Sequence, residues 1–224
     1  MAPNAPRLKR SDVVKALHEG MAEAVHDFTA WTKGEYLGAW GVESILTAGC
    51  ARRLSAATTA IGSKSALTLE QTFSGLIEYS GRQTPRGRPT EAERRLASKT
   101  KGRIDIVLWN AHSTPRAMIE VKRSAGRQGL LADADRVIDF IRCAGKTYKG
   151  SVRYGLVATV VSGPEGKGRE NVLKKARVRR HALAERARER GMAFDCDGPV
   201  WLGDLGTWDK EVAATYVFTF RPKR

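Results

Sequence analysis

The feature that most constrains the fold is a pair of apolar runs separated by a short polar link. The runs are Ile104–Trp109 and Arg116–Lys122, and the link, Asn110–Pro115, is rich in residues that favour turns. The pattern predicts two consecutive β-strands, which we take to form an antiparallel hairpin.

This hairpin would bring three charged side chains together. If it is centred between His112 and Ser113, Asp105 lies opposite Glu120. Side chains alternate across a strand, so Lys122 shares the face of Glu120, and Asp105 joins them from the neighbouring strand. The opposite face receives apolar side chains suited to a core: Ile104, Ile106, Leu108, Ile119 and Val121. The link does not fix the turn type, so this register is an assumption.

The predicted cluster has two interpretations. Opposed carboxylates repel unless a proton, a cation or a metal ion intervenes, and Lys122 supplies part of the compensating charge. Two carboxylates with water and a phosphate also suit Mg²⁺, which prefers octahedral oxygen ligands. The simpler alternative is an ordinary salt bridge between Glu120 and either Lys122 or Arg103.

Apolar spacing predicts further elements on both sides of the hairpin. Helices are predicted at residues 11–30, 41–60, 130–142 and 169–190. Residues 66–79 are predicted to be extended, 80–103 to form a loop with a short helix near 91–98, and 154–162 to form a strand. Short strands are predicted at 193–196, 200–202 and 215–220.

The motif of Asp105 followed by Glu120-Val121-Lys122, on two strands with an amphipathic helix after them, resembles the PD-(D/E)XK nuclease superfamily. The resemblance covers residues 41–162. It implies an α/β fold with a restriction-endonuclease-like αβββαβ core and a mixed central sheet. Helix 11–30 and the basic helix and strands of 165–224 would be additions within a single nuclease domain, 1–224. The sequence departs from the superfamily pattern in having Ile104, not proline, before Asp105.

The resemblance also implies a chemistry. Asp105, Glu120 and the Val121 carbonyl would hold Mg²⁺, with Mn²⁺ as a substitute, and Lys122 would position the attacking water. Glu43 matches the position of a further catalytic acid in the first core helix. Its alternative is a solvent-facing acid in a helix first turn. The implied substrate is DNA, and a homodimer is implied for double-strand cleavage.

Charge points to the same class of partner. The chain has 39 Lys and Arg against 24 Asp and Glu, a formal net charge of +15. Such an excess favours a polyanionic partner. Candidate contacts with a nucleic-acid backbone are Arg86, Arg88, Arg94, Arg95, Lys101, Arg103, Arg127, Gln128, Lys174, Lys175 and Arg177. A solvated charged loop before Asp105 and a salt-bridged solvent face at 185–190 are the alternatives.

Asp133 and Asp135 fall at the start of a predicted helix, where acids favour the N-terminal dipole. This structural role is preferred over a catalytic one for both. His181 is predicted to be a surface histidine.

No apolar run approaches the roughly 18 residues that span a bilayer. Residues 1–10 lack the apolar segment of a secretory signal. The sequence therefore predicts an intracellular, cytoplasmic protein with no membrane partner.

Three rival functions stay open. The chain could be an RNase of the same fold, a non-catalytic nucleic-acid-binding module with a degenerate nuclease fold, or a basic structural or regulatory protein whose acids and lysine form a salt bridge. Nothing in the sequence separates DNA from RNA as the substrate.

Overall fold

The computed structural model describes residues 6–37, 41–81, 102–124, 126–203, 205 and 210–223. The helices within these residues are α1 (Arg10–Trp31), α2 (Glu43–Ala60), α3 (Phe73–Tyr79), α4 (Arg127–Ala144) and α5 (Gly168–Glu189). The strands are β1 (Leu67–Thr72), β2 (Arg103–Trp109), β3 (Pro115–Lys122), β4 (Tyr154–Pro164), β5 (Met192–Trp201) and β6 (Glu211–Pro222). Two 3₁₀ turns, Lys146–Tyr148 and Glu165–Lys167, flank β4.

The strands form one mixed sheet in the order β1-β2-β3-β4-β6-β5. Strand β2 is antiparallel to both β1 and β3, and strand β6 is antiparallel to both β4 and β5. Strands β3 and β4 are parallel, and helix α4 lies between them in the chain. The predicted α/β class with a mixed sheet is therefore confirmed.

Helices cover both faces of the sheet, which gives three layers. On one face, α1 and α2 pack on apolar side chains that include Ile106, Leu108, Ile119 and Val121. On the other face, α3, α4 and α5 pack on side chains that include Val107, Met118, Phe218 and Phe220. The sequence predicted a core on the first face only, and the structure buries the second as well. Ile104, which was predicted to share the first face, is buried on the second.

The predicted register of the hairpin is confirmed over its middle. Ile106 pairs with Ile119 and Leu108 with Ala117, and an irregularity follows at Trp109. These pairs have the register of a hairpin centred between His112 and Ser113. The recorded pairs end at Ile106 and Ile119, so they do not include the predicted pair of Asp105 and Glu120.

The four helices predicted at 11–30, 41–60, 130–142 and 169–190 are present, and their ends differ from the predicted ones by no more than three residues. Residues 66–79, however, are not extended throughout. The strand ends at Thr72, whose hydroxyl accepts a hydrogen bond from Gly75 N at 3.4 Å and caps helix α3. Phe73 and Leu76 are buried on the same helical face, a spacing that also fits a helix. The helix predicted near 91–98 lies outside the described residues.

The C-terminal prediction of three short strands is wrong in number. Residues 193–196 and 200–202 belong to one strand, β5, which crosses an irregularity between Asp197 and Val200. Pro199 interrupts the donor pattern there, and β5 tolerates it because it lies at the edge of the sheet. The predicted strand 215–220 extends to Glu211–Pro222.

Helices α1 and α2 approach closely through two glycines. A Cβ atom on Gly20 would lie 2.6 Å from Cys50 Cα, and one on Gly49 would lie 2.5 Å from Gly20 O. Any larger residue at either position would push the helices apart. This contact fixes α2, and with it Glu43, over the sheet.

No helix in the described parts of the chain has both the length and the apolar character needed to cross a membrane.

Candidate active site

The candidate active site lies where β3 ends and α2 begins. Lys122 closes β3 and is aligned with Thr159 of the parallel strand β4. Glu43 is the first residue of α2, and Asp105 is the third residue of β2. The three side chains therefore come from separate elements that meet at one end of the sheet.

Asp105 is tied to the neighbouring strand by its side chain. Its Oδ2 atom accepts a hydrogen bond from the Val121 backbone N–H at 2.7 Å. The strand pairing between β2 and β3 runs up to Ile106 and Ile119, so the carboxylate binds a backbone donor just past that pair. This bond fixes the carboxylate beside the backbone of the residue that follows Glu120.

Glu120 is the most deeply buried acid of the cluster, with 1% of its surface exposed. Its Oε2 atom lies 3.1 Å from Arg136 Nη2 and 3.9 Å from Lys122 Nζ. Its Oε1 atom is buried and has no hydrogen-bond partner among the described residues. Burial raises the pKa of Glu120 well above its usual value, against the attraction of Arg136 and Lys122 and with the repulsion of Asp105 and Asp133.

Lys122 is held by the acid of α2. Its Nζ atom lies 2.7 Å from Glu43 Oε1. Burial lowers the pKa of Lys122, but the hydrogen bond that Lys122 donates to Glu43 and the charges of Asp133, Asp105 and Glu120 outweigh it, so the pKa is raised overall. The Lys122 ammonium group is therefore stabilised by the acids around it.

Glu43 joins α2 to the end of β3 by two hydrogen bonds. Beside its bond to Lys122, its Oε2 atom accepts the backbone N–H of Arg123 at 3.2 Å. Glu43 does lie in the first turn of its helix, as the alternative interpretation required, yet it also contacts the motif lysine. The structure thus brings this predicted fourth residue into the cluster.

Sequence reasoning missed two members of the cluster on helix α4. Asp133 was expected to serve the helix dipole, but α4 begins at Arg127, so Asp133 lies in its second turn and is buried. Arg136 Nη2 contacts both Asp133 and Glu120. Burial raises the pKa of Asp133, against the charges of Lys122 and Arg136. The only sequence signal was the spacing of an acid and an arginine three residues apart on an apolar helix.

Asp135 was also expected to serve the helix dipole, but it is the ninth residue of α4 and forms ion pairs instead. Its carboxylate binds Arg186 at 2.5 Å and Arg190 at 3.2 Å, both on α5. Arg190 also pairs with Asp139 of α4. These ion pairs join the two helices and confirm that the 185–190 segment is largely salt-bridged. His181 is exposed, as predicted, and lies 3.5 Å from Glu185.

The charge balance of the cluster suits a divalent cation. Four carboxylates, those of Glu43, Asp105, Glu120 and Asp133, face two cations, Lys122 and Arg136. Among the described residues no three His, Cys, Asp or Glu side chains are arranged as a metal site. The set that the resemblance implies needs only two carboxylates and the Val121 carbonyl, and the buried, unpartnered Oε1 atom of Glu120 fits such a set.

The predicted nucleic-acid-binding residues divide into two groups. Arg86, Arg88, Arg94, Arg95 and Lys101 lie outside the described residues. The others are exposed: Arg103 at the start of β2, Arg127 and Gln128 in the first turn of α4, and Lys174, Lys175 and Arg177 on α5. Lys175 Nζ also donates to Ser162 O at 2.8 Å, near the end of β4 that lies beside Lys122.

Comparison of the chain with protein-family models, with curated proteins and with solved structures found no match. The functional assignment therefore depends on the geometry and chemistry of the cluster.

Proposed function

We propose that this chain is a metal-dependent nuclease of the PD-(D/E)XK type that hydrolyses DNA phosphodiester bonds as an endonuclease. The observation that carries the proposal is the meeting of Asp105, Glu120, Lys122 and Glu43 at one end of the sheet. The order α2-β1-β2-β3-α4-β4 supports it, because it follows the αβββαβ core of that superfamily apart from the inserted helix α3.

Asp105, Glu120 and the Val121 carbonyl would hold Mg²⁺ or Mn²⁺. When bound, such an ion polarises the phosphate and lowers the pKa of a bound water. The hydrogen bond from the Val121 N–H keeps the Asp105 carboxylate next to this carbonyl-bearing residue. Arg136 holds one oxygen of Glu120 and leaves the other without a partner among the described residues.

Lys122 acts in this scheme as a positioned cation. Its raised pKa keeps it protonated, so it orients the attacking water and stabilises the negative charge that develops on the phosphate. Glu43 restrains the ammonium group through the 2.7 Å hydrogen bond.

A nucleic acid is favoured as the partner by the exposed cations near the cluster. Arg103 lies two residues before Asp105, and Arg127 and Gln128 begin the helix that carries Arg136. Exposed Lys and Arg side chains and the N-terminus of a helix bind phosphates without reading the sequence. They would hold the backbone and leave the cleavage to the cluster.

The test compares cleavage of plasmid, single-stranded DNA and RNA in Mg²⁺, Mn²⁺ or EDTA. Lys122→Ala and Glu120→Gln should each lower the cleavage rate by about 100-fold or more. Both variants should still bind DNA in a salt-dependent way. The matched control is Lys64→Ala, which removes an exposed lysine away from the end of β3 that carries Lys122. This variant should cleave normally.

The same assay separates the rivals. Cleavage of RNA alone would make the chain an RNase, and absence of product with every substrate and both metals would refute the enzyme. Metal-independent binding without cleavage would favour the non-catalytic module. That second candidate is supported by the ion pair between Arg136 and Glu120, which supplies positive charge where a metal would otherwise supply it. Direct conversion of supercoiled plasmid to linear product would support a homodimer.

A further inference from the structure

A strongly basic cavity of about 890 Å³ lies away from the candidate active site. It is formed by the start of α1, the start of β4 and the end of β6. Tyr154, at the start of β4, pairs with Ala117, whereas Lys122 pairs with Thr159. The two sites are thus separated along β4 by about 17 Å of strand, since each residue advances the strand by about 3.3 Å.

Five cationic side chains line this basic cavity: Arg10, Lys146, Arg153, Arg221 and Lys223. No acid is present among its described lining residues. Two carboxylates contact the lining residues: that of Asp195 lies 3.4 Å from Arg10 Nη1 and 3.3 Å from Arg221 Nε, and that of Asp12 accepts a hydrogen bond from Ser11 Oγ at 3.4 Å. Two acids against five cations leave an excess of positive charge, which favours an anion with several charges.

Part of the cavity wall is held in place by the protein itself. Arg153 Nη1 donates to Gly150 O at 2.8 Å and to Val152 O at 3.3 Å. These bonds fix the guanidinium group before any ligand arrives. A donor that is already fixed loses less conformational entropy on binding than a free side chain.

The N-terminus of a long helix also borders the cavity. Arg10 and Ser11 belong to the first turn of the 22-residue helix α1, whose positive dipole end also favours an anion.

We propose that the basic cavity binds a small anion carrying two or more phosphate groups, such as pyrophosphate or the phosphates of a nucleotide. The volume lies in the range of small-molecule sites, about 300–1,000 Å³. The five cations and the α1 N-terminus surround it. This site is independent of the nuclease proposal.

The test measures pyrophosphate binding to the full chain by calorimetry in EDTA, so that no divalent cation takes part. We expect saturable binding that weakens as salt is added. Lys146→Ala combined with Lys223→Ala removes two exposed cavity lysines and should weaken binding about tenfold or more. The control pair, Lys64→Ala with Lys167→Ala, removes the same charge from other exposed positions and should bind normally.

Two further measurements test whether the candidate active site contributes to binding and whether the ligand is a nucleotide. Lys122→Ala should bind pyrophosphate normally, and equal loss in the cavity and control pairs would overturn the proposal. Tighter binding of ATP than of pyrophosphate would identify a nucleotide ligand, and equal binding would identify the diphosphate group alone; both outcomes support the site. Binding of an oligonucleotide without any binding of pyrophosphate or ATP would overturn it.

Discussion

Arg136 Nη2 lies 3.1 Å from Glu120 Oε2, so the most buried acid of the candidate active site is paired with helix α4 more closely than with the motif lysine. Arg136 in turn contacts Asp133, one helical turn earlier. A helix on one face of the sheet therefore sets the position of a carboxylate at the strand end. Removal of the Arg136 side chain would leave two buried acids, Glu120 and Asp133, without this cation.

The first prediction concerns this arginine. Arg136→Gln should lower the free energy of unfolding by roughly 3 kcal/mol in EDTA, because breaking a buried ion pair leaves its partner uncompensated. Mg²⁺ should restore more stability to the variant than to the native chain, since a divalent cation would supply the lost charge. Urea denaturation with and without Mg²⁺ measures both effects. Arg142→Gln, an exposed arginine on the same helix, is the control; equal behaviour of the two variants would refute the role.

The second prediction is a pH dependence. Burial raises the pKa of Glu120 above its usual value near 4.5. The folded chain then binds this proton more tightly than the unfolded chain, so the stability contribution is full below that value and is lost as the pH rises through the folded-state pKa. Glu120→Gln should therefore be more stable than the native chain at neutral pH without metal, and the difference should vanish in acid.

Urea denaturation of both proteins between about pH 4 and pH 8 checks this sign. Glu78→Gln, at an exposed position, should track the native chain at every pH. Added Mg²⁺ should stabilise the native chain at neutral pH and leave Glu120→Gln unchanged. A native chain that gains stability relative to Glu120→Gln as the pH rises would contradict the prediction.

Local patterns were enough to predict the hairpin and its register. The two apolar runs and the short link between them define the pairing of β2 and β3, in which Ile106 pairs with Ile119. The motif residues Asp105, Glu120 and Lys122 share a strand end for the same reason. Their grouping follows from strand geometry, which a sequence carries in full.

The remaining members of the cluster depend on tertiary packing. Asp133 and Arg136 reach Glu120 only because α4 crosses the sheet above β3, and nothing in the helix sequence states where it crosses. The basic cavity has the same origin, since Arg10, Lys146 and Arg221 are distant in sequence. Helix α3 lies within the segment 66–79 that was predicted to be extended, and it is held by tertiary packing: Phe73 contacts Phe140 of α4 at 6.1 Å from ring to ring.

A third prediction tests the glycine contact that holds α2 in place. Gly49→Ala should lower the free energy of unfolding by about 1–3 kcal/mol, because the new methyl group would meet Gly20 O at 2.5 Å. Gly166→Ala, whose new methyl group would meet nothing within 4 Å, should have a small effect. Thermal or urea denaturation compares the two. Equal stability of both variants would show that the helices can separate at no cost.

The fourth prediction concerns the cations of α5. Lys174 and Arg177 are exposed side chains of α5. Lys175, between them on the same helix, donates a hydrogen bond to Ser162 O near the end of β4. If both contact phosphates, Lys174→Ala with Arg177→Ala should reduce the slope of log affinity against log salt by about 2, since each phosphate contact contributes about 0.9. The affinity should fall equally for DNA of any sequence, because backbone contacts carry no base information.

Titration of a labelled duplex in EDTA at several salt concentrations measures the slope, with Arg142→Ala and Arg188→Ala as a control of equal charge. An unchanged slope in the α5 variant would place the phosphate contacts elsewhere on the chain.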